Sequence, residues 1–296
     1  MAGQKKPNVT ITQAMIDAYD EYTHITLDRR GFMDKLTRLA GSGAAAVAIA
    51  PMLAANRAQA AMVAPDDARI VGEDVTYEGA MGAISGHLVM PANQSGPLPA
   101  VVVIHENRGL NEHIRDVARR VALAGFVALA PDFLSDVGGT PEDEDRARAM
   151  IGELDAGQTA ENAVAAVNWL AGRGDTTGKV GAVGFCWGGG VVNQLAVHSP
   201  DLAAAVPYYG RQPKADDVPK IHAALLLHYA GLDNFINPGI DAYKAALEAN
   251  NKDFTLYVYE GVNHAFNNDT SAARYNKAAA DLAWGRTIAF LKEKLG

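Results

Sequence analysis

The chain has 296 residues, of which 49% are hydrophobic and 20% charged, which is typical of a soluble globular protein with one large domain or two modest ones. The formal net charge of −8, and the lack of a Lys/Arg cluster interleaved with aromatic residues, argue against nucleic acid as a partner. The single cysteine, Cys186, excludes an intramolecular disulfide framework and any metal site that needs several cysteines.

Residues 1–60 have the features of a signal that precedes the folded domain. Arg29 and Arg30 are followed by a mildly apolar, Ala-rich run over residues 39–55, and then by Ala-Gln-Ala at 58–60, a small-residue pattern suited to cleavage. This arrangement resembles a twin-arginine export signal, which implies a periplasmic protein that loses His24 with the signal. The run is too short and mild for a stable membrane anchor, which needs about 20 strongly apolar residues. The alternative is an amphipathic N-terminal helix of a cytoplasmic protein.

A single domain is predicted over residues 68–296. Short apolar runs alternate there with amphipathic stretches, which is typical of an α/β protein with a mostly parallel, doubly wound sheet flanked by helices. Strands are predicted at 71–77, 83–90, 97–104, 125–130, 179–185, 203–209, 223–229 and 254–259. Helices are predicted at 111–124, 158–171, 240–249 and 272–294, with another directly after Cys186. Functional side chains are expected at the carboxyl ends of the strands.

Cys186 lies at a predicted turn from strand to helix, with Gly184 two residues before it and Gly188 two residues after. This is the pattern of the nucleophile elbow of α/β-hydrolases, with cysteine in place of the more common serine. The backbone at such a nucleophile is strained, so its flanking residues must lack side chains for the strand and the helix to approach. The helix N-terminus favours a thiolate and an anionic intermediate. A small structural cysteine beside a tight turn is the alternative.

A base and an orienting acid follow Cys186 in the order that α/β-hydrolases use. Asp233 comes after the predicted strand at 223–229, and His264 comes after the strand at 254–259. A thiol nucleophile needs a base to take its proton, and the base needs a partner that fixes its tautomer. His264 is therefore predicted as the base and Asp233 as its partner. Asp241 and Asp253 are less suitable, because they fall within or beyond the next predicted helix.

The polar loop at 105–109 follows the buried strand at 97–104, where such hydrolases normally provide an oxyanion donor. The N–H of Asn107 is expected to pair with that of Trp187 in this role. Glu106 is unusual here, because a carboxylate beside an anionic intermediate is unfavourable unless it controls a proton. A solvent-facing glutamate is the alternative.

From residue 71 to the C-terminus the chain resembles the dienelactone hydrolase family. The resemblance lies in His-Glu-Asn-Arg-Gly at 105–109, Gly-Phe-Cys-Trp-Gly-Gly at 184–189, Tyr-Tyr-Gly at 208–210, Gly-Leu-Asp at 231–233 and Asn-His-Ala-Phe at 263–266. It implies an α/β-hydrolase fold and a cysteine-dependent enzyme that cleaves a small ester or enol-lactone through an acyl-thioester, without metal or organic cofactor. By this resemblance Cys186, His264 and Asp233 form a triad, and Glu106 holds the resting thiol until substrate displaces it.

Two arginines grip the substrate carboxylate in the best-known members of that family. The one expected shortly after the histidine is missing here, because Ala-Phe-Asn-Asn occupies 265–268, and Arg146 or Arg148 matches the other only loosely. Dienelactone itself is therefore a doubtful substrate. Further predicted substrate contacts are Arg108, Tyr209 and Arg211.

Two other functional classes stay open at this point. One is a non-catalytic binding protein on the same scaffold. The other is a glutamine amidotransferase type of amidase, whose triad ends in His-x-Glu, although Ala265 and Phe266 follow His264 here. The sequence leaves the oligomeric state undetermined.

Overall fold

The computed structural model describes residues 10–24, 27–54 and 61–296. The small-residue pattern at 58–60 lies outside the described residues. The strands are β1 (Ile70–Glu78), β2 (Ala83–Pro91), β3 (Leu98–Ile104), β4 (Val127–Pro131), β5 (Thr176–Phe185), β6 (Leu202–Tyr208), β7 (Ala224–Ala230) and β8 (Phe254–Tyr259). The helices are α1 (Gln13–Thr23), α2 (Arg29–Ala40), α3 (Gly43–Leu53), α4 (Glu112–Leu123), α5 (Glu144–Gly152), α6 (Ala156–Ala171), α7 (Trp187–His198), α8 (Ile240–Ala249) and α9 (Lys277–Leu295).

Within the described ranges, the strands form one sheet in the order β1-β2-β4-β3-β5-β6-β7-β8. β1 and β2 pair antiparallel, as do β2 and β4, and all the remaining pairs are parallel. The order reverses at β3, which lies between β4 and β5, and ligands of open α/β sheets bind at such a switch point. This confirms the predicted α/β-hydrolase fold, a mostly parallel sheet flanked by helices.

The apolar run in β3 is continuous because helices cover both faces of the sheet. Val101 and Val103 point to one face, where they belong to an apolar cluster that includes side chains of α4 and α9. Val102 and Ile104 point to the other face, against α6 and α7. All four side chains are fully buried. Their burial fixes the end of β3, from which the loop at 105–109 departs.

Two parts of the domain differ from the expected elements. The acidic stretch at 141–155 contains α5, which begins where the Asp143 carboxylate accepts hydrogen bonds from the N–H groups of Asp145 and Arg146. The last helix begins at Lys277 and not near 272, because the side chain of Asn276 caps it through the N–H of Ala279. Residues 272–276 are therefore a loop before α9.

The N-terminal helices pack on one another around an apolar cluster. Tyr22 stacks on Phe32 with ring centroids 4.9 Å apart, and Tyr19, Leu36 and Leu53 are buried beside them. Among the described residues, no single helix is long and apolar enough to cross a membrane, and α2 and α3 pass that test only as a pair bent by 112°. α1 also contacts α5, where the Tyr22 hydroxyl donates to Asp145 Oδ1 at 2.6 Å.

The turn from β5 into α7 is as tight as the sequence predicts. Cys186 has φ +56° and ψ −117°, outside the ordinary regions for an L-residue. A Cβ at Gly184 would lie 2.3 Å from the carbonyl oxygen of Gly188, and one at Gly188 would lie 2.4 Å from that of His105. Both contacts are with backbone, which cannot rotate away, so both glycines are required by close approach.

We expect Gly188→Ala to lower the free energy of unfolding by about 1–3 kcal/mol, because the new methyl group overlaps fixed backbone. Gly190→Ala is a matched control in the same helix, since a Cβ there meets nothing closer than 3.6 Å. Alanine favours helix over glycine by up to about 1 kcal/mol, so the control should be neutral or stabilising. Urea unfolding measures both values, and equal stability of the two variants would contradict this account of the turn.

Candidate active site

The carboxyl ends of separate strands bring the predicted catalytic side chains together. Glu106 follows β3, Cys186 follows β5, Asp233 follows β7 and His264 follows β8. Glu106, Cys186 and His264 line one cavity of about 20 Å³, which is space for about one water molecule. Asp233 lies behind His264, away from the cavity. The structure thus brings these four side chains together at one edge of the sheet.

His264 links Asp233 to Cys186. Its Nδ1 lies 2.6 Å from Asp233 Oδ2, and both side chains are almost completely buried. The second carboxylate oxygen, Oδ1, accepts hydrogen bonds of 3.0 Å from the N–H groups of Phe235 and Ile236. With the Nδ1 proton directed at Asp233, Nε2 faces the sulfur, and the two atoms lie within 4.8 Å. The ring is therefore oriented to exchange a proton with Cys186.

The charges of these groups support one another. Burial alone would lower the pKa of His264, but Cys186 and the Asp233 carboxylate raise it well above its usual value. Burial alone would raise the pKa of Asp233, but His264 and the N–H of Ile236 hold it below its usual value. The Asp233 carboxylate therefore stabilises the charged form of the His264 ring.

The first turn of α7 provides donors beside the sulfur. The first hydrogen bond within the helix runs from the N–H of Gly190 to the carbonyl of Cys186, at 3.1 Å. The N–H groups of Trp187, Gly188 and Gly189 precede that bond and have no acceptor within the helix. Trp187 therefore occupies the position expected of an oxyanion donor. Asn107, the other predicted donor, lines the cavity, and its side-chain Nδ2 donates to the carbonyl of Thr23 at 2.6 Å.

His105 holds the loop after β3 against the elbow. Its ring stacks on Trp187, with centroids 5.2 Å apart and planes 12° from parallel. Its Nε2 accepts the N–H of Phe133 at 3.3 Å, so its Nδ1 carries the proton and donates to the carbonyl of Glu106 at 2.7 Å. This bracing fixes the backbone from which Glu106 projects.

Glu106 is buried, with 7% of its surface exposed, and it is not the solvent-facing glutamate considered above. Its Oε2 accepts a hydrogen bond of 2.6 Å from Nδ2 of Asn268. Its Oε1 is buried and has no hydrogen-bond partner among the described residues. One carboxylate oxygen is thus anchored, and the other is available in the cavity that Cys186 lines.

The predicted substrate contacts divide into two groups. Arg108 is buried, lines the cavity and donates from Nη2 to the Tyr19 hydroxyl at 3.1 Å. The Tyr209 ring is buried 4.8 Å from the His264 ring. Arg146 is exposed on α5 and does not line this cavity, and Arg211 is exposed and lines a separate cavity. These last two arginines are therefore not brought to the nucleophile in this structure.

A cation that the sequence analysis did not single out lies in the cavity instead. Arg274 is buried and lines the cavity with Cys186, and its Nη1 donates to Asp20 Oδ1 of α1 at 3.0 Å. The sequence analysis placed position 274 inside the predicted helix at 272–294. Only the late start of α9 leaves Arg274 in a loop that reaches the site.

His24, at the end of α1, also lies at the site. Its ring stacks on Phe235 with centroids 4.8 Å apart, and it meets the His264 ring edge-on at 4.5 Å. Burial, assisted by the neighbouring His264, lowers the pKa of His24 to about 4, so the imidazole is neutral at pH 7. This contact was not predicted, because His24 lies in the segment expected to be cleaved.

Comparison with known proteins places these features in a family. The model of the family described as "Dienelactone hydrolase family" matches residues 84–295. A protein of Escherichia coli O157:H7, named as a candidate carboxymethylenebutenolidase, is 31% identical over 244 residues, which cover 77% of this chain and 89% of that protein.

Solved structures of similar proteins agree with this match. A candidate dienelactone hydrolase of Klebsiella pneumoniae has a TM-score of 0.69 at 29% identity, over 74% of this chain and 97% of that one. A dienelactone hydrolase-like promiscuous phosphotriesterase from metagenomic libraries has a TM-score of 0.70 at 26% identity, over 77% of this chain and all of that one. The match of the family model over most of the chain shows that this protein belongs to the dienelactone hydrolase family.

Proposed function

We propose that this enzyme cleaves a carboxylic ester or lactone by forming an acyl-thioester on Cys186. Membership of the family makes the chain a hydrolase that acts on esters or lactones. The observation that carries the cysteine mechanism is the alignment of Cys186, His264 and Asp233, with Nδ1 of the histidine 2.6 Å from the carboxylate. The strained backbone at Cys186 supports the same role, because a residue that only fills space does not require positive φ.

The reaction proceeds in two halves. Cys186 passes its thiol proton to His264, and the resulting thiolate attacks the carbonyl carbon. The carbonyl oxygen becomes an oxyanion next to the N–H groups at the start of α7 and at Asn107. The C–O bond then breaks, and His264 gives its proton to the leaving alkoxide. In the second half, His264 takes a proton from water, hydroxide adds to the thioester, and the carboxylic acid leaves as the thiolate is restored. Asp233 keeps the imidazole in one tautomer and stabilises its charged form throughout.

Glu106 acts in this scheme by controlling the proton of the resting thiol. Its Oε2 is fixed by Asn268, while its Oε1 has no partner among the described residues and is the atom available to accept a hydrogen bond from the resting thiol. A carboxylate left beside the developing oxyanion would oppose catalysis, so the carboxyl group must be neutral or displaced when substrate is bound. In the resting state, the charge of the buried Arg274 lowers the free-energy cost of burying the Glu106 carboxylate.

The cavity beside Cys186 is too small for an ester in this structure. A volume of about 20 Å³ admits one water molecule, so Tyr19, Thr23 or other lining side chains must shift for an ester to bind. Arg108 and Arg274 give the cavity a cationic side suited to an acid or lactone with an anionic group. In the described chain, these two guanidinium groups donate hydrogen bonds to α1: Arg108 to the Tyr19 hydroxyl, and Arg274 to the Asp20 carboxylate. A glutamine amidotransferase type of site is disfavoured, because the acid partner of His264 comes from the loop after β7 and not from the residues after the histidine.

Replacement of Cys186 by alanine should reduce kcat/KM for a generic aryl ester by about 10³-fold or more, because no other nucleophile lies at the elbow. Steady-state hydrolysis of the ester measures this loss, and equal thermal stability of the variant shows that the fold is intact. The wild type should also take up one equivalent of a thiol reagent that the variant does not. Undiminished turnover by the alanine variant would exclude the proposed mechanism.

Replacement of Asp233 by asparagine should lower kcat by about 10²- to 10⁴-fold, because an amide N–H facing Nδ1 forces the proton of His264 onto Nε2. The side-chain oxygen of asparagine can still accept the hydrogen bonds from the N–H groups of Phe235 and Ile236, so the free energy of unfolding should change little. Asp241→Asn is the matched control, since Asp241 is an exposed acid on α8. An equal loss of turnover in the two variants would show that Asp233 does not orient the base.

We also propose that the chain is exported by a twin-arginine route. The support is the arginine pair at the start of α2 and the apolar α3 that follows, as expected from the sequence. In a host with that pathway, wild-type protein should appear in the periplasm shortened by about the first 60 residues. Arg29→Lys with Arg30→Lys should keep the chain full-length in the cytoplasm, while Arg38→Lys, elsewhere on α2, should not. Fractionation and mass spectrometry distinguish these results, and full-length wild-type protein in the cytoplasm would contradict export.

A further inference from the structure

Three potential metal-ligand atoms meet where α1 covers the nucleophile. They are Sγ of Cys186, an imidazole nitrogen of His264 and an imidazole nitrogen of His24, and all lie within 4.8 Å of one another. The Nε2 atoms of both histidines are buried and have no hydrogen-bond partner among the described residues. His264 is itself 98% buried, since only 2% of its surface is exposed. Two unsatisfied buried nitrogens beside a sulfur need an explanation that ester hydrolysis alone does not give, because hydrolysis uses only one of them.

The other nitrogen of each imidazole is already held by an acceptor. Nδ1 of His264 lies 2.6 Å from the carboxylate of Asp233, and Nδ1 of His24 lies 2.7 Å from the carbonyl oxygen of Asp20. A histidine that binds a metal almost always donates its second ring N–H to a carboxylate or a backbone carbonyl, which fixes the tautomer and the ring orientation. Both rings therefore carry the outer contact of a metal ligand, and Nε2 is the nitrogen of each that remains for a metal beside the sulfur.

The ligand set selects the class of cation. One thiolate and two imidazoles suit a borderline-soft divalent ion such as Zn²⁺, with metal–sulfur distances of about 2.3 Å and metal–nitrogen distances of about 2.0 Å. Tetrahedral geometry with these lengths places the ligand atoms about 3.3–3.5 Å apart, so the side chains need to close by up to roughly 1.5 Å. The adjoining cavity of about 20 Å³ holds one water molecule, which supplies the fourth ligand.

We propose that the full chain binds one Zn²⁺-like cation through Cys186, His264 and His24, and that this cation blocks the nucleophile. Binding displaces the proton that the thiol and the imidazole of His264 share, and that proton is released to solvent. The sulfur lone pair that would attack a carbonyl is then engaged by the metal. The blocking effect rests on the proposed hydrolysis, whereas the binding itself does not.

His24 makes this a site of the full chain and not of the hydrolase domain alone. It is the residue that ends α1, and no step of the proposed hydrolysis uses it. A cation held at this point joins α1 to the loops after β5 and β8. The position of the N-terminal segment therefore determines whether the sulfur of Cys186 is bound by metal or free to react.

The test is a titration of the full 296-residue chain with Co²⁺, a spectroscopic substitute for Zn²⁺, followed by competition with Zn²⁺. Wild type should bind one equivalent, with visible absorption of a tetrahedral site and a sulfur-to-cobalt charge-transfer band. Cys186→Ala should lose that band. His24→Ala should bind at least about tenfold more weakly, since loss of even an outer contact of a ligand costs 10–100-fold.

His198→Ala is the matched control, because His198 also ends a helix and its Nδ1 also contacts the carbonyl four residues earlier, at 2.8 Å. It should bind Co²⁺ as the wild type does. His24→Phe is a second variant that keeps the ring stack on Phe235 without a ligand nitrogen, and it should behave like His24→Ala even if the alanine variant folds poorly.

The hydrolysis assay is read separately from binding. If the proposal is correct, Zn²⁺ suppresses ester turnover in wild type and in His198→Ala at a concentration at least about tenfold lower than in the His24 variants, and a chelator restores it. Wild-type affinity in both His24 variants, or no stoichiometric Co²⁺ binding by wild type, would overturn the metal site. Turnover lost in Cys186→Ala alongside intact metal-free wild-type activity would still support the hydrolase.

Discussion

The close approach of the α7 N-terminus to the ends of the neighbouring strands is the constraint on which the site depends. A Cβ at Gly188 would meet the carbonyl of His105, and a Cβ at Gly189 would lie 2.5 Å from the carbonyl of Tyr208. The elbow is thus packed against the loops after β3 and β6 through backbone alone. Because backbone contacts leave no rotamers to adjust, they fix Cys186 relative to Glu106 and Tyr209 more firmly than side-chain packing would. The two remaining triad members enter from β7 and β8, on the far side of this contact.

Much of this arrangement could be predicted from the sequence because it depends on local patterns. The continuous apolar run of β3, the glycines around Cys186, and the order of nucleophile, acid and base each have a direct structural cause within a few residues. The fold, the family and the convergence of Cys186, His264 and Asp233 followed from these patterns. The predicted buried strands and the helix at 240–249 also match the structure, because periodicity reports burial directly.

The parts that were not predicted depend on contacts between distant segments. Arg274 reaches the cavity because a side chain at 276 starts α9 late, and no periodicity reveals such a cap in an Ala-rich stretch. Asn268 was noted only as a replacement for an expected arginine, yet it holds Glu106. Arg146 was matched to a carboxylate-binding arginine of the family by its position in the chain, but on α5 its side chain is exposed to solvent. The contacts of α1 could not be inferred at all, because composition describes a segment's own character and not the surface on which it packs.

The carboxylate of Asp20 is present only in forms of the enzyme that retain α1. It is the anion that neutralises Arg274 from the α1 side, while Glu106 faces the same guanidinium from the loop after β3. A chain that begins after α1 retains the buried arginine but loses this counter-ion, the covering Tyr19 and the imidazole of His24. Its pocket is then wider and more electropositive. Full-length and shortened preparations of this protein therefore differ in the charge and width of the pocket beside Cys186 and His264, although those two residues are the same in both.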